Sequence, residues 1–485
     1  MNDFLELPNV TSIVKGQPKA TEVTSIVVDP ARAAPLARLS HADDAIVDAA
    51  VQAARDAFGD WREVSPANRA RMLMKFREIL EKNRKAMADL IVREHGKPLG
   101  DAMGSIQRGI EVVEFAMGAP HLLKGENSDQ VATGVATRSS RRPLGVCAGI
   151  TPFNYPAMIP MWMFPLALVC GNTFVLKPSE KTPSAPNLIA SMLSDAGVPD
   201  GVFNVVHGGR DVAEALIVHP DVASVSFVGS SAAAKSVYET AARHGKRVQA
   251  LGGAKNHAIV MPDADLPSTV DAILNGAFNS AGQRCMAISV VVTVGDAHQA
   301  LMPRLIEAAS RLKVSAGSRA DCFVPPVNSE DQFTRIHRMI ESGIEEGAHL
   351  ALDGRNPSGH KGAGFLIGPV IFDGVDPAMT IYREEVFGPV LCVISVESLD
   401  DAIRLSNEHL LGNGAVLFTS SGKAAHRFER DILCGMPGVN VPVPSPVAYY
   451  SFGGNKKSFF GDLAMHGPDG INFFTRRQVL TTRWP

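Results

Sequence analysis

From about residue 144 the chain settles into short apolar runs separated by helix-length segments, and this texture restricts the fold more than any other feature. The runs at 144–150, 173–176, 202–206, 222–228 and 258–261 carry no charged residue, as expected of strands buried on both faces. Between them, 183–196 and 231–244 read as crossover helices. Strand, helix and strand in that order predict an α/β fold, a parallel sheet with helices on both faces. Upstream, Ile46, Val47, Ala50, Val51, Ala54 and Phe58 fall on one helical face. A longer helix is predicted to begin at Ser65-Pro66, a capping residue followed by proline at the first helical position. It carries Leu73, Phe76, Leu80, Met87 and Ile91 inward and stops near Gly96.

With 485 residues the chain can form two or three domains, each with its own core. A net charge of -3 and the lack of a long basic run argue against a nucleic-acid partner. Six cysteines (147, 170, 285, 322, 392 and 434) are scattered without CxxC pairs or metal-ligand spacing. Free thiols in a reducing compartment and no metal site are therefore expected. Residues 1–6 lack the cationic start and apolar core of a secretion signal. The apolar run 156–171 is short and interrupted by Pro160 and Pro165, so no membrane span is expected and the cytoplasm is the expected location.

The octapeptide Phe278-Asn279-Ser280-Ala281-Gly282-Gln283-Arg284-Cys285 sets a cysteine directly behind an arginine and among small residues that let the backbone bend around a substrate. A neighbouring cation favours the nucleophilic thiolate, although most cysteines are buried and structural. Four further segments bear on the choice: Thr151-Pro152-Phe153-Asn154-Tyr155-Pro156, Leu176-Lys177-Pro178-Ser179-Glu180, Ser226-Phe227-Val228-Gly229-Ser230-Ser231 and Glu384-Glu385-Val386-Phe387-Gly388-Pro389. In their order along the chain, the five segments resemble the signature blocks of the aldehyde dehydrogenase superfamily. Gly253-Ala254-Lys255-Asn256-His257, 439–444 and 458–463 bring the chain closest to the CoA-acylating methylmalonate-semialdehyde dehydrogenase branch.

The resemblance implies a Rossmann-like NAD-binding domain (1–120 and 144–250) and an α/β catalytic domain (251–450). It also implies a small β oligomerisation element from 121–143 and 451–485, and a homotetramer. Alternation at Ile471, Phe473 and Val479-Leu480 hints at strands in that tail. It implies Cys285 as nucleophile, with the Asn154 amide and the Cys285 backbone N–H as the oxyanion hole; the residue-level alternative for Asn154 is a turn. The chain has no G-x-G-x-x-G, and the resemblance gives the cofactor's pyrophosphate to Gly229-Ser230 at a strand-to-helix turn, where helix N–H groups favour an anion. An ordinary tight turn would look the same.

Lys177 and Glu180 match the pair that holds the adenosine ribose. The charge of Glu180 would repel a 2′-phosphate, which argues for NAD over NADP, while an exposed ion pair is the bland alternative. Thr151, Phe153, Lys181 and Gly252 join the implied cofactor contacts, and Glu385 and Phe387 match the pair at the nicotinamide ribose. Arg108 and Arg284 match arginines suited to a substrate carboxylate. Otherwise Arg108 is a solvated helix residue and Arg284 only activates Cys285.

Hydrolytic members of the superfamily carry a glutamate four residues before the lysine of an E-L-G-G-K block. Counting back from Lys255 gives Leu251, and aligning the glycine pairs gives Ala250; neither accepts a proton. Without that base the acyl group is expected to leave to coenzyme A as co-substrate rather than to water. The implied reaction is NAD-dependent oxidation of malonate or methylmalonate semialdehyde with loss of CO2, giving acetyl-CoA or propionyl-CoA. A hydrolytic aldehyde dehydrogenase releasing free acid and a catalytically silent scaffold are the competing readings. Residues 317–330, with Cys322 through Pro326, depart from the family pattern.

Overall fold

The computed structural model describes residues 7–357 and 364–484; residues 1–6, on which the reading of the amino terminus rests, lie outside them. The charge-free runs form the centres of two sheets. The first has eight strands in the order Phe459–Phe460, Arg247–Leu251, Val222–Val228, Val146–Ile150, Thr173–Lys177, Phe203–Val205, Ser12–Val14 and Gln17–Lys19. Its five central strands are parallel. Antiparallel strands from opposite ends of the chain complete its two edges. The second has seven, in the order His349–Leu352, Val370–Asp373, Val390–Val396, Ile288–Val294, Asn256–Val260, Gly414–Phe418 and Met436–Val439. Only His349–Leu352 runs antiparallel to its neighbour. Crossover helices Ser184–Asp195 and Ser231–Arg243 follow the first sheet's strands as the alternation predicts.

Among the described residues no helix is long and apolar enough to cross a membrane. The 156–171 run instead forms the helix Met158–Val169, in which every residue is buried and Pro165 lies inside. Its Phe164 meets Phe76 edge to face at 5.7 Å, so its apolarity serves the core.

Two expectations are corrected. The long helix from Pro66 breaks at Asn83 into Pro66–Lys82 and Arg84–His95. The Asn83 amide donates to the Ile79 carbonyl at 2.8 Å, satisfying an acceptor of the last turn and ending it. Gly96 then stops the second helix in a left-handed conformation, φ 91°. Ile471 and Phe473 belong to a helix, Gly467–Phe473, not to a strand. Ile471, Phe473 and Phe474 are all buried, which no single strand face allows.

The tail strand begins at Thr475 and pairs with Val135–Pro143, itself paired with Asn127–Ala132, in a largely exposed three-stranded antiparallel sheet. The stretch at 455–460 goes elsewhere: Asn455–Lys456 pairs with Leu411–Gly412, and Phe459–Phe460 with the end of Arg247–Leu251.

Candidate active site

Cys285 sits at the end of a tight turn. The helix Leu266–Phe278 runs into Ser280, Ala281 and Gly282, three consecutive residues in the left-handed region at φ 55°, 52° and 67°. Non-glycine residues hold that conformation only where the surroundings enforce it. A Cβ on Gly282 would overlap the Gly388 carbonyl, so the octapeptide and the Glu384–Pro389 block need glycine at their contact. The Cys285 carbonyl accepts from two side-chain amides, Asn256 Nδ2 at 3.0 Å and Asn413 Nδ2 at 2.9 Å. Both asparagines adjoin or begin neighbouring strands of the second sheet, which pins the cysteine to that sheet. Asn154 donates to the Gln283 carbonyl at 3.1 Å, which brings its amide beside the same turn.

A groove runs along the carboxyl ends of the first sheet's strands, where ligands collect in open parallel sheets. Its larger part, a cavity of about 780 Å³, is lined by Thr151, Phe153, Lys177, Glu180, Lys181, Gly229 and Ser230 among others. A smaller part, about 250 Å³, is lined by Asn154, Gly252, Cys285, Glu385 and Phe387. The two share Pro152, Phe153, Val228, Gly229 and Ser230 and are continuous. All the candidate cofactor contacts therefore lie along one groove that ends at the thiol.

Lys177 is buried and lies 3.5 Å from the half-exposed Glu180. Burial lowers the lysine's pKa, and the glutamate's charge works against that shift. Lys181 donates to Ser329 Oγ at 2.9 Å and lies over the Phe153 ring. Ser230 caps the helix Ser231–Arg243 through its side chain, leaving first-turn N–H groups facing the groove. A Cβ on Gly229 would collide with the Phe227 ring, and one on Gly253 with the Glu385 carboxylate, so the backbone there is bare. The Thr151 hydroxyl and the Gln332 carbonyl oxygen are buried without partners among the described residues, polar atoms that a bound ligand can satisfy. This groove fits a dinucleotide.

Glu385 accepts from the Ala254 N–H at 2.9 Å, and burial pushes its carboxyl up to about 7. Arg335 donates to the Glu385 and Val386 carbonyls at 2.6 and 2.7 Å, and Phe387 takes a left-handed φ of 52°. Burial, with help from the Glu385 charge, pushes the Cys285 thiol up to about 12; the Arg284 charge opposes this but is the smallest contributor. An arginine next in sequence thus does not make the resting cysteine a thiolate. Arg284 instead donates to Asp101 at 2.9 Å.

Neither candidate carboxylate-binding arginine lines the groove. Arg108 is half-buried and donates to the Ser445 and Pro446 carbonyls at 3.0 and 2.7 Å and to Glu111 at 3.2 Å, so it is not a solvated helix residue. Ala250 and Leu251 are buried apolar residues, and Leu251 belongs to the apolar cluster against which Cys285 packs. Among the described residues no group of His, Cys, Asp or Glu is arranged to hold a metal.

Sequence reasoning missed Asn256, Asn413, Gln283, Arg335 and Asp101. Asn256 lies in the Gly253–His257 block, which signalled the segment but not the amide's role; Asn413 carries no local signal. The departing 317–330 stretch packs beneath the site: Asn328 donates from its N–H to Gln283 Oε1 at 3.0 Å, and Gly317 lies against the Gly96 and Lys97 carbonyls.

The pattern of the aldehyde dehydrogenase family matches residues 17–480. A malonate-semialdehyde dehydrogenase of Pseudomonas aeruginosa is 49% identical over 462 residues, covering 95% of this chain and 93% of its own. Malonate-semialdehyde dehydrogenase 3 of Geobacillus kaustophilus is 50% identical over 459 residues, covering 95% of each. Among solved structures, the methylmalonate-semialdehyde dehydrogenase of Oceanimonas doudoroffii superimposes with a TM-score of 0.97 at 47% identity over 99% of both chains. A Sinorhizobium meliloti 1021 protein assigned to the same activity, solved in complex with NAD, gives 0.97 at 44% identity over 99% of both.

Proposed function

The chain belongs to the aldehyde dehydrogenase family, and on that premise we propose that it is an NAD-dependent, CoA-acylating semialdehyde dehydrogenase acting on malonate or methylmalonate semialdehyde. NAD, when bound in the groove, supplies the hydride acceptor. The residues supply the rest. The Cys285 thiol gives up its proton to solvent and its sulfur adds to the aldehyde carbon, and the Asn154 amide with the Cys285 N–H donates to the developing oxyanion, each such donor being worth about 10²–10³ in rate. Loss of hydride from the tetrahedral adduct leaves a thioester on Cys285.

Gly229, Ser230 and the helix behind them hold the pyrophosphate, Lys177 and Glu180 the adenosine ribose, and Glu385 and Phe387 the nicotinamide ribose. Thr151, Phe153, Lys181 and Gly252 complete the cofactor's walls. To Arg108 and Arg284, which border the site without lining the groove and are held by the Ser445 and Pro446 carbonyls and by Asp101, this reading assigns the substrate carboxylate. That carboxylate lies β to the thioester carbonyl, so its C–C bond electrons can pass into an enolate as CO2 leaves, and a proton then completes the acetyl or propionyl group. We propose domains of 1–120 with 144–250 and of 251–450, while the first sheet also takes in Leu251 and Phe459–Phe460. We place the enzyme in the cytoplasm, because its six cysteines are free, and assign it a homotetramer, because the exposed three-stranded sheet offers an edge for a second chain.

The observation that carries the reading is the lack of a base for water. Ala250 and Leu251 fill the place of the hydrolytic glutamate with buried hydrocarbon. Among the described residues Glu385 is the one carboxylate lining the cavity at the thiol, and it already accepts from Ala254 and faces the cofactor's proposed place. A thiol acceptor needs less activation, since its reference pKa of about 8.5 leaves some thiolate at neutral pH.

Stopped-flow mixing without CoA is expected to give a burst of NADH close to one per active site, then a slow steady rate. CoA should raise the steady rate and yield an acyl-CoA. An equal steady rate with and without CoA, with free acid as product, would establish the hydrolytic reading instead.

A further inference from the structure

Three polar residues with no part in the chemistry above, Lys97, Asp101 and Ser280, converge with Arg284 beneath the turn before Cys285. Lys97 follows the helix Arg84–His95, Asp101 lies in the first turn of the helix Leu99–Met117, and Ser280 and Arg284 stand four residues apart in the turn before Cys285. The Asp101 carboxylate joins them. Its Oδ1 accepts from Arg284 Nη2 at 2.9 Å; its Oδ2 accepts from Ser280 Oγ at 2.6 Å and lies 3.1 Å from Lys97 Nζ. Lys97 and Ser280 are fully buried, and the Lys97 ammonium stacks 3.9 Å from the centre of the Tyr155 ring. One carboxylate between two cations leaves the cluster with one net positive charge close to the nucleophile.

Two details show how Asp101 acts on the turn. It grips both Ser280, which holds a left-handed φ of 55°, and Arg284, so a single carboxylate spans the bend and offsets its strain. In addition, Arg284 Nε is buried and has no acceptor among the described residues. A buried donor left unpaired is costly unless a ligand completes it. The Asp101 bond fixes the guanidinium from one side and leaves that donor to be satisfied.

We propose that Asp101, backed by Lys97, is a positioning residue that sets Arg284 for an incoming carboxylate and thereby determines the preference for semialdehyde acids over plain aldehydes. This rests on the reading that Arg284 receives the substrate carboxylate. Asparagine at 101 keeps the volume but removes the charge and turns an N–H pair toward cationic donors, so the guanidinium loses its anchor.

The test measures kcat and KM of the full-length enzyme, with saturating NAD and CoA, for malonate semialdehyde and for propionaldehyde, its three-carbon counterpart without the carboxylate. Asp101→Asn is expected to lower the ratio of the two kcat/KM values about tenfold or more, mainly through the KM for malonate semialdehyde. An equal fractional loss for both aldehydes would overturn the proposal, because a merely structural role moves both alike. Arg284→Met separates the two ideas. If it collapses the ratio while Asp101→Asn does not, the positioning role alone fails; if it leaves the ratio unchanged, the carboxylate reading of Arg284 fails with it. Should Asp101→Asn not fold, the paired Lys97→Met/Asp101→Asn variant removes both charges together and reads the same ratio.

Discussion

A half-buried thiol beside a half-buried carboxylate is a weak nucleophile, and Cys285 is such a thiol, with its pKa pushed up to about 12. In the enzyme without cofactor, alkylation of Cys285 by iodoacetamide is expected to be slow at pH 7. It should rise about tenfold per pH unit up to pH 10, since the thiolate fraction grows in that proportion below the pKa. Mass spectrometry of the Cys285 peptide reads this site apart from the other thiols; a plateau near pH 8 would contradict it. Adjacency in sequence pointed to Arg284 as the activating cation, and the structure gives that arginine a different partner. Nothing local reveals Asp101, 183 positions upstream, because a charge pair closed by the fold leaves no periodicity or spacing. Residues inside a contiguous block, such as Gly229-Ser230 or Lys177 with Glu180, were legible together because a strand end and the helix after it bring near neighbours to one place. Asn413 was not, since it reaches Cys285 only through the pairing of distant strands.

At the scale of elements, the turn before Cys285 holds three consecutive residues in the left-handed region. Gly282→Ala would put a side chain at φ 67° and against the Gly388 carbonyl. Strain of about 1–3 kcal/mol is the expected minimum cost. The variant should therefore lose most NADH formation and melt several degrees lower in calorimetry; wild-type activity at an unchanged melting temperature would count against the tight contact. Buried strands were readable because a run of uncharged residues has few other uses. Boundaries set by one side chain were not. Asn83 divides a helix whose apolar face continues across the break, and the pattern at Ile471 and Phe473 fits a short helix and a strand equally until the burial of Phe474 decides. The prolines in 156–171 were read as interruptions, yet Met158–Val169 is helical because packing on all sides outweighs one missing hydrogen bond.

For the whole molecule, the three-stranded sheet of 127–143 and 475–483 stands largely exposed. Val131, Val479 and Leu480 are exposed on it, and a second chain is the expected cover. Given the proposed tetramer, Val479→Asp with Leu480→Asp should shift sedimentation from the wild-type mass toward smaller species; an unchanged mass would place the contact elsewhere or overturn the proposed assembly. Two sheets could be anticipated from the order of apolar runs, but the fate of the tail could not, since strands of two residues carry almost no pattern. Those short strands set an order of events. Phe459–Phe460 closes the open side of Arg247–Leu251, and the Ser458 carbonyl accepts from the Gly252 N–H at 2.8 Å beside the thiol. On the ribosome, the first sheet waits with that edge bare while roughly 200 further residues are made, some 10–40 s at common elongation rates. A nascent chain can thus hold Cys285, the parallel strands of both sheets and most of the groove and still be unfinished at the edge that borders the proposed site, so a truncated product of this gene is a candidate for chaperone custody rather than for partial activity.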